Sequence, residues 1–143
     1  RRLVEVRMAR QRRVISDHSL KLSVVLDESV LLRNMGSTEV MRLQLEHLVA
    51  ISKLENVTVR VLPLAGQHPL GTGSFTLLAF RAVLGTGPAD VVYVEQLARS
   101  EVIAGEEAAA YEYRLAFGQL AAVSLGPEQS RELIVRVANK VWS

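Results

Sequence analysis

The chain has 143 residues, of which 49% are apolar and none is cysteine, and its formal net charge is +2. This length is enough to bury the core of one domain, and the apolar fraction excludes a disordered protein. The lack of cysteine excludes disulfides and thiolate metal sites and suits a cytoplasmic protein. No apolar run reaches the roughly 18 residues of a membrane span.

The charge is distributed unevenly along the chain. Residues 1–13 hold six arginines and one glutamate, a balance of +5, so residues 14–143 hold eleven basic and fourteen acidic side chains, a balance of −3. A mildly acidic body is poorly suited to binding phosphates, which needs many cationic contacts. The basic segment could touch a DNA backbone, but we interpret it as the solvated face of a connecting helix. We expect the chain to be a fragment of a longer protein.

The first half of the chain predicts two helices and two strands. A helix is expected over 2–15, with Leu3, Val6 and Val14 at core spacing. A strand over 20–27 and a short helical turn over 29–34 follow. Ser37 or Thr38 is expected to cap a second helix, which runs to about Leu54 with Met41, Leu45, Leu48 and Val49 inward. The alternation in 56–62 predicts a strand with three inward valines that ends before a proline.

The second half predicts a hairpin and two helices. A Gly/Pro-rich loop over 65–73 precedes a strand over 74–80, and a turn over 84–90 leads into a strand over 91–96. An alanine-rich helix follows at 106–123. The last helix is expected to begin at Pro127, with an inward face of Leu133, Ile134, Val137 and Val141. The predicted fold is a single α+β domain over 1–143, a small mixed four-stranded sheet with helices packed against it, in the order α-β-α-β-β-β-α-α.

Asp27 and Glu28 are adjacent carboxylates at the exit of the first strand. Neighbours on a strand point to opposite faces, so two catalytic carboxylates would not converge there. We expect one carboxylate to cap the following helical turn and the other to pair with Arg33 or Arg60. The alternative is a contact with a partner or a ligand.

The histidines do not form a predicted metal site. His47 lies on a helix without a second histidine four residues away, and His18 and His68 lie in separate loops. Glu95 ends an apolar strand and either faces a groove that recognises a partner or turns to water. No serine stands in a nucleophile-elbow context and no phosphate-binding loop is complete. The sequence therefore predicts no catalytic residue, no cofactor and no metal.

Several stretches together resemble the C-terminal domain of actinobacterial XRE-type regulators, the Scr1-like and WhiJ-like antitoxin-like proteins. The stretches are VRMARQRRV, VVLDESVLLRNMGSTEVMRLQLEHL, NVTVRVLPLAGQHPLGTGSFTLLAF, VVYVEQ and YEYRLAFGQLAAVSLGPEQSRELI. The positions that match are Asp27, Glu28, Arg33, Gly36, Gln44, Pro63, Gly73, Phe75, Tyr93 and Glu95. In that family the domain is catalogued as of unknown function and follows a DNA-binding helix-turn-helix, which is absent from this sequence.

The resemblance implies a regulatory domain that binds a small toxin-like protein encoded nearby and thereby controls the DNA-binding head. DNA would be bound only through the missing N-terminal domain, and no contact with a membrane is expected. A homodimer also fits, because such regulators act on paired half-sites. From the acidic body we expect a partner whose contact face is basic or apolar.

Two alternatives stay open. One is a small-molecule sensor whose pocket uses Asp27, His68 and Glu95 as polar groups. The other is an enzyme, which would need Asp27 or Glu28 to converge with Glu95 or His68 in one cleft. The candidate partner or ligand contacts are therefore Asp27, Glu28, Arg33, His68 and Glu95.

Overall fold

The computed structural model describes residues 2–68, 73–81, 87–95 and 100–143. They form two compact units, one of Arg1–Gly66 with Ser124–Ser143 and the other of Gln67–Val123. In chain order the elements are α1 (Arg2–Ser16), β1 (Leu22–Asp27), α2 (Ser29–Leu32), α3 (Thr38–Ile51), β2 (Val57–Leu62), β3 (Phe75–Leu78), β4 (Val91–Glu95), β5 (Ser100–Ala104), α4 (Glu107–Val123) and α5 (Pro127–Lys140).

The first unit is built on a parallel pair of strands. β1 and β2 align from Leu22 opposite Val57 to Asp27 opposite Leu62, and α2 and α3 form the crossover that a parallel pair requires. The Ser37 side chain accepts a hydrogen bond from the Val40 N–H at 3.2 Å, so Ser37 is the helix cap, as predicted.

The core of the first unit lies between the sheet, α3 and α5. The three valines of β2 that the alternation predicted to point inward are buried. The buried cluster is Leu31, Met41, Leu45, Val57, Val59, Val61, Ile134, Val137, Ala138 and Trp142. The prediction for α5 is partly wrong, because Val141 is exposed while Ser130 and Ala138 are buried. The helical periodicity predicted which face of α5 is buried, but not which residues lie at the edges of that face.

Helix α1 is formed as predicted, but its predicted core face is wrong. Leu3 and Val6 are exposed, and α1 contains no buried residue. Val14 is the α1 residue that packs against the core cluster. The Asn56 amide donates to the carbonyl oxygens of Val14 and Leu20, both at 2.9 Å, and this attaches the end of α1 to the loop before β2.

The second unit is an antiparallel three-stranded sheet with α4 against it. β3 pairs with β4, and β4 with β5. The Phe75 and Tyr113 rings meet edge to face with centroids 4.9 Å apart, which fixes α4 on β3. Asp90 and Arg114 form an ion pair between the start of β4 and α4.

The mixed α+β class, the parallel pair and the hairpin are confirmed. The described strands form two sheets in place of the one four-stranded sheet predicted, and β5 was not predicted. One reason is that the outer edge of β2 is occupied, since the Leu125 N–H donates to the Val61 carbonyl at 2.9 Å. Residues 69–72 and 84–86 of the two predicted loops, and Gln96, lie outside the described residues.

Candidate functional site

The turn after β1 is held by its two carboxylates. Asp27 Oδ1 accepts a hydrogen bond from the Ser29 N–H, the first N–H of α2, at 2.9 Å. The expectation that a carboxylate would cap this turn is confirmed in part, because the N-cap residue itself is Glu28 and its side chain makes no capping hydrogen bond. Glu28 Oε2 accepts from the Leu64 N–H at 2.7 Å, and the Glu28 N–H donates to the Leu62 carbonyl at 2.9 Å. Both acids therefore fix the ends of the two parallel strands.

The predicted arginine partners of this turn are engaged differently. Arg60 Nη1 donates to the Leu125 carbonyl at 3.4 Å, and Arg33 ends α2 through its own N–H, which donates to the Ser29 carbonyl at 3.0 Å. The expectation that the second carboxylate pairs with Arg33 or Arg60 is wrong for Glu28, because that carboxylate bonds a backbone N–H instead. Arg33 itself is exposed.

An exposed apolar surface begins directly after Arg33. Met35, Val40 and Leu43 are 76%, 54% and 50% exposed, and we call these three residues the α2–α3 patch. The loop lies close to the helix here, since a Cβ at Gly36 would be 3.3 Å from Val40 Cγ1. Val40 and Leu43 are three residues apart on α3 and share one face.

Polar contacts hold the α2–α3 patch in place. Asn34 Oδ1 accepts from the Gly36 N–H at 3.0 Å, and Ser37 caps α3. Val30 and Leu32 of α2 are also exposed, at the other end of the same segment. Contiguous exposed apolar residues on a folded protein mark interaction sites more often than scattered ones do. This surface adjoins the turn that the sequence singled out.

His68 and Glu95 belong to the second unit, whereas Asp27, Glu28 and Arg33 belong to the first. His68 is exposed and follows Gly66, whose φ of 144° favours glycine. Glu95 is exposed at the end of β4, opposite Ser100 of β5. Of the five candidate residues, three lie at or just after the turn that follows β1 in the first unit, and two belong to the second unit.

The second unit contains a cavity that sequence reasoning missed. It has a volume of about 690 Å³ and is lined by residues 87–90 and by Glu107, Tyr111 and Arg114 of α4. The Asp90–Arg114 ion pair lies on its wall. No local motif links residues 87–90 to the α4 residues, because the two groups are at least 17 positions apart and meet only when α4 packs on the sheet.

The described part of the chain contains neither a metal-binding cluster nor a membrane-spanning helix. No group of three or more histidine, aspartate or glutamate side chains there could hold a metal ion. None of the helices in residues 2–68, 73–81, 87–95 and 100–143 combines the length and apolarity needed to cross a bilayer.

Comparison with known proteins gives one match. A family model described as a domain of unknown function (DUF5753) matches residues 1–136. Neither the curated proteins nor the solved structures contain a significant match.

Proposed function

The chain belongs to the DUF5753 family, and we propose that it is the regulatory, partner-binding domain of a DNA-binding transcriptional regulator. The observation that carries the proposal is the α2–α3 patch. Three large apolar side chains stay at least half exposed there, although α3, which carries two of them, packs on the core through Met41 and Leu45. Covering them with a protein partner would remove apolar surface from water, which is the main driving force of association.

The position of the α2–α3 patch suits a regulatory role. Its segment connects β1 to β2, and the loop after β2 is held by Glu28. Helix α1 is attached to the same sheet through Asn56. In the regulators that the sequence resembles, a DNA-binding head precedes this domain. A partner bound at the patch would therefore act on a unit whose sheet is coupled to α1.

The proposed partner is a small toxin-like protein encoded beside the gene, in keeping with the resemblance. The complex is proposed to form in the cytoplasm and to control the head, with no catalytic step. Formation of a homodimer stays a prediction, as does the absence of enzymatic activity.

Co-expression with the product of the neighbouring gene tests this function. We expect the two proteins to co-purify, and Met35→Glu with Leu43→Glu to abolish co-purification, because two buried carboxylates would lack partners. Val135→Glu is the matched control, since Val135 is exposed on α5 outside the patch. Equal recovery of the partner with the patch variant and with the control would refute the proposal.

The second candidate function, small-molecule sensing, is favoured by the cavity of the second unit. A volume of about 690 Å³ lies in the range of ligand sites, and the Asp90–Arg114 pair with Tyr111 could orient a polar ligand. Mass spectrometry of the protein purified from its native host would detect a bound small molecule. Loss of that molecule in Arg114→Met would support sensing at this cavity.

A further inference from the structure

Besides the α2–α3 patch, the first unit has a narrow stripe of apolar side chains along helix α1. Val4, Met8, Gln11 and Ile15 follow one another at spacings of four, three and four, so they lie within about 60° of one another around the helix. Val4, Met8 and Ile15 are 62%, 46% and 46% exposed. This spacing is that of the a and d positions of a coiled-coil seam.

The apolar members of the stripe do not face the unit to which α1 is attached. The attachment is made by Val14, which packs against the core cluster, and by the Val14 carbonyl, which Asn56 binds. At about 100° per residue, Val14 lies about a quarter turn away from the centre of the stripe. The three apolar members Val4, Met8 and Ile15 therefore stay open while α1 is anchored, and Gln11, the member of the stripe nearest to Val14 around the helix, is half-buried.

Arginines flank the stripe on both sides. By the same geometry Arg7 lies along one edge, and Arg12 lies along the other edge together with Glu5; these are the places of e and g residues in a coiled coil. Neither has an ion pair or a side-chain hydrogen bond within the described part of the chain. The described residues of α1 hold five arginines and one glutamate, a balance of +4.

These features select one class of occupant. A second copy of α1 would bring +4 against +4, so self-pairing is opposed by repulsion. Nucleic acid would leave the apolar stripe unused, and helices that lie in a membrane surface carry Trp, Phe or Leu on their apolar face, whereas this stripe carries valine, methionine and isoleucine. A helix with an apolar seam and acidic flanks satisfies both the stripe and its arginines.

We infer that α1 is a docking surface for an amphipathic partner helix whose apolar seam is flanked by Asp or Glu. The surface is distinct from the α2–α3 patch and does not depend on the function proposed for that patch. Arg7 and Arg12 select the charge of the partner, while Val4, Met8 and Ile15 bury the seam.

A charge-swap titration tests the inference. The probe is a synthetic 28-residue peptide of four heptads with leucine at a and d and glutamate at e and g, which keeps it monomeric by repulsion. The matched probe carries lysine at e and g. In nuclear magnetic resonance titrations of the isotope-labelled chain, we expect the glutamate peptide to shift the amide signals of α1 and the lysine peptide to leave them unchanged.

Variants make the result specific. Met8→Glu should weaken binding of the glutamate peptide at least tenfold, and Arg7→Glu with Arg12→Glu should reverse the preference toward the lysine peptide. Met35→Glu should leave peptide binding unchanged, which separates this surface from the α2–α3 patch. The two proposals can fail separately. If Met35→Glu abolishes the complex with the partner protein but Arg7→Glu with Arg12→Glu does not reverse the peptide preference, the proposed function is retained and this inference is overturned.

Four outcomes would overturn the inference. They are equal binding of both peptides, no shift with the glutamate peptide at millimolar concentration, dimerisation of the chain that Met8→Glu abolishes, and Met8-dependent binding to phosphatidylglycerol vesicles or duplex DNA without peptide binding. The last two would assign the stripe to a second copy or to another class of macromolecule.

Discussion

The hydroxyl of Ser130 accepts a hydrogen bond from the backbone N–H of Val61 at 2.9 Å, and both residues are fully buried. The same hydroxyl donates to the Leu125 carbonyl at 3.2 Å, and the Leu125 N–H donates to the Val61 carbonyl. Together these groups satisfy the N–H and the carbonyl of Val61 at the outer edge of β2, which no strand covers in the described structure. The sheet therefore depends on α5 for backbone hydrogen bonds as well as for packing.

Replacing this hydroxyl tests that dependence. Ser130→Ala would leave the buried Val61 N–H without a partner, and we expect it to lower the free energy of unfolding by about 1–3 kcal/mol. Urea denaturation followed by circular dichroism measures the change. Ser143→Ala, at an exposed position, is the control and should change it by less than about 0.5 kcal/mol. Similar values for the two variants would show that Ser130 does not stabilise the edge.

Asn56 should couple α1 to the sheet. Asn56→Ala removes both donors to the Val14 and Leu20 carbonyls, so we expect a loss of about 1–3 kcal/mol. Asn56→Ala should also accelerate amide hydrogen exchange in the last turn of α1 more than it accelerates exchange in α3. The exposed Asn139 provides the control Asn139→Ala. Unchanged exchange in α1 with Asn56→Ala would mean that α1 is held by other contacts.

Trp142 should act as a buried anchor of α2. Its Nε1–H donates to the Leu31 carbonyl at 2.8 Å, and the residue is 7% exposed. Trp142→Phe keeps most of the apolar volume but removes the donor, so we expect a loss of about 1–3 kcal/mol. Because this is the single tryptophan of the chain, its fluorescence in the wild type reports on this contact during unfolding. A fluorescence transition at a lower urea concentration than the circular dichroism transition would contradict a shared core.

Asp17 should make stability depend on pH at the acidic end. Hydrogen bonds from the Ser19 side chain and N–H, with the nearby charge of Arg13, hold the pKa of Asp17 below its ordinary value of 3.8. A carboxyl whose pKa is lower in the folded than in the unfolded chain stabilises the fold above the unfolded pKa. That contribution is lost as the pH falls through the folded pKa.

The measurement for Asp17 compares the wild type with Ser19→Ala across the acidic range. We expect the pKa of Asp17, followed by nuclear magnetic resonance, to rise toward the ordinary value in Ser19→Ala, because the largest cause of its depression is removed. The stability difference between the two proteins should shrink as the pH is lowered through this range. A pKa of Asp17 that does not move would show that Ser19 is not the cause.

Much of the secondary structure could be predicted because it depends on neighbouring residues in the sequence and not on tertiary contacts. The Ser37 cap, Pro127 at the start of α5 and the alternation of β2 each require only neighbouring residues, and the structure confirms all three. The exposed side of α1 could not be predicted, since Leu3 and Val6 have core spacing whether or not a partner surface exists. Tertiary packing alone decides which of two apolar faces is covered.

The contacts that fix the candidate site were less predictable. One carboxylate was expected to cap α2, and Asp27 binds the first N–H of that helix, two residues along the chain, although the N-cap residue is Glu28. The Glu28 contact with Leu64 spans 36 residues and depends on the parallel register, which the sequence does not encode locally. The cavity walls at Asp90 and Arg114 meet for a similar long-range reason.

The central claim is that the α2–α3 patch binds a protein partner, and isothermal titration of the chain with the product of the neighbouring gene tests it most directly. We expect a dissociation constant in the micromolar range or tighter. Met35→Glu with Leu43→Glu should weaken it at least tenfold, while Val135→Glu should not change it. No binding at micromolar concentrations, or equal affinity for all three proteins, would contradict the claim.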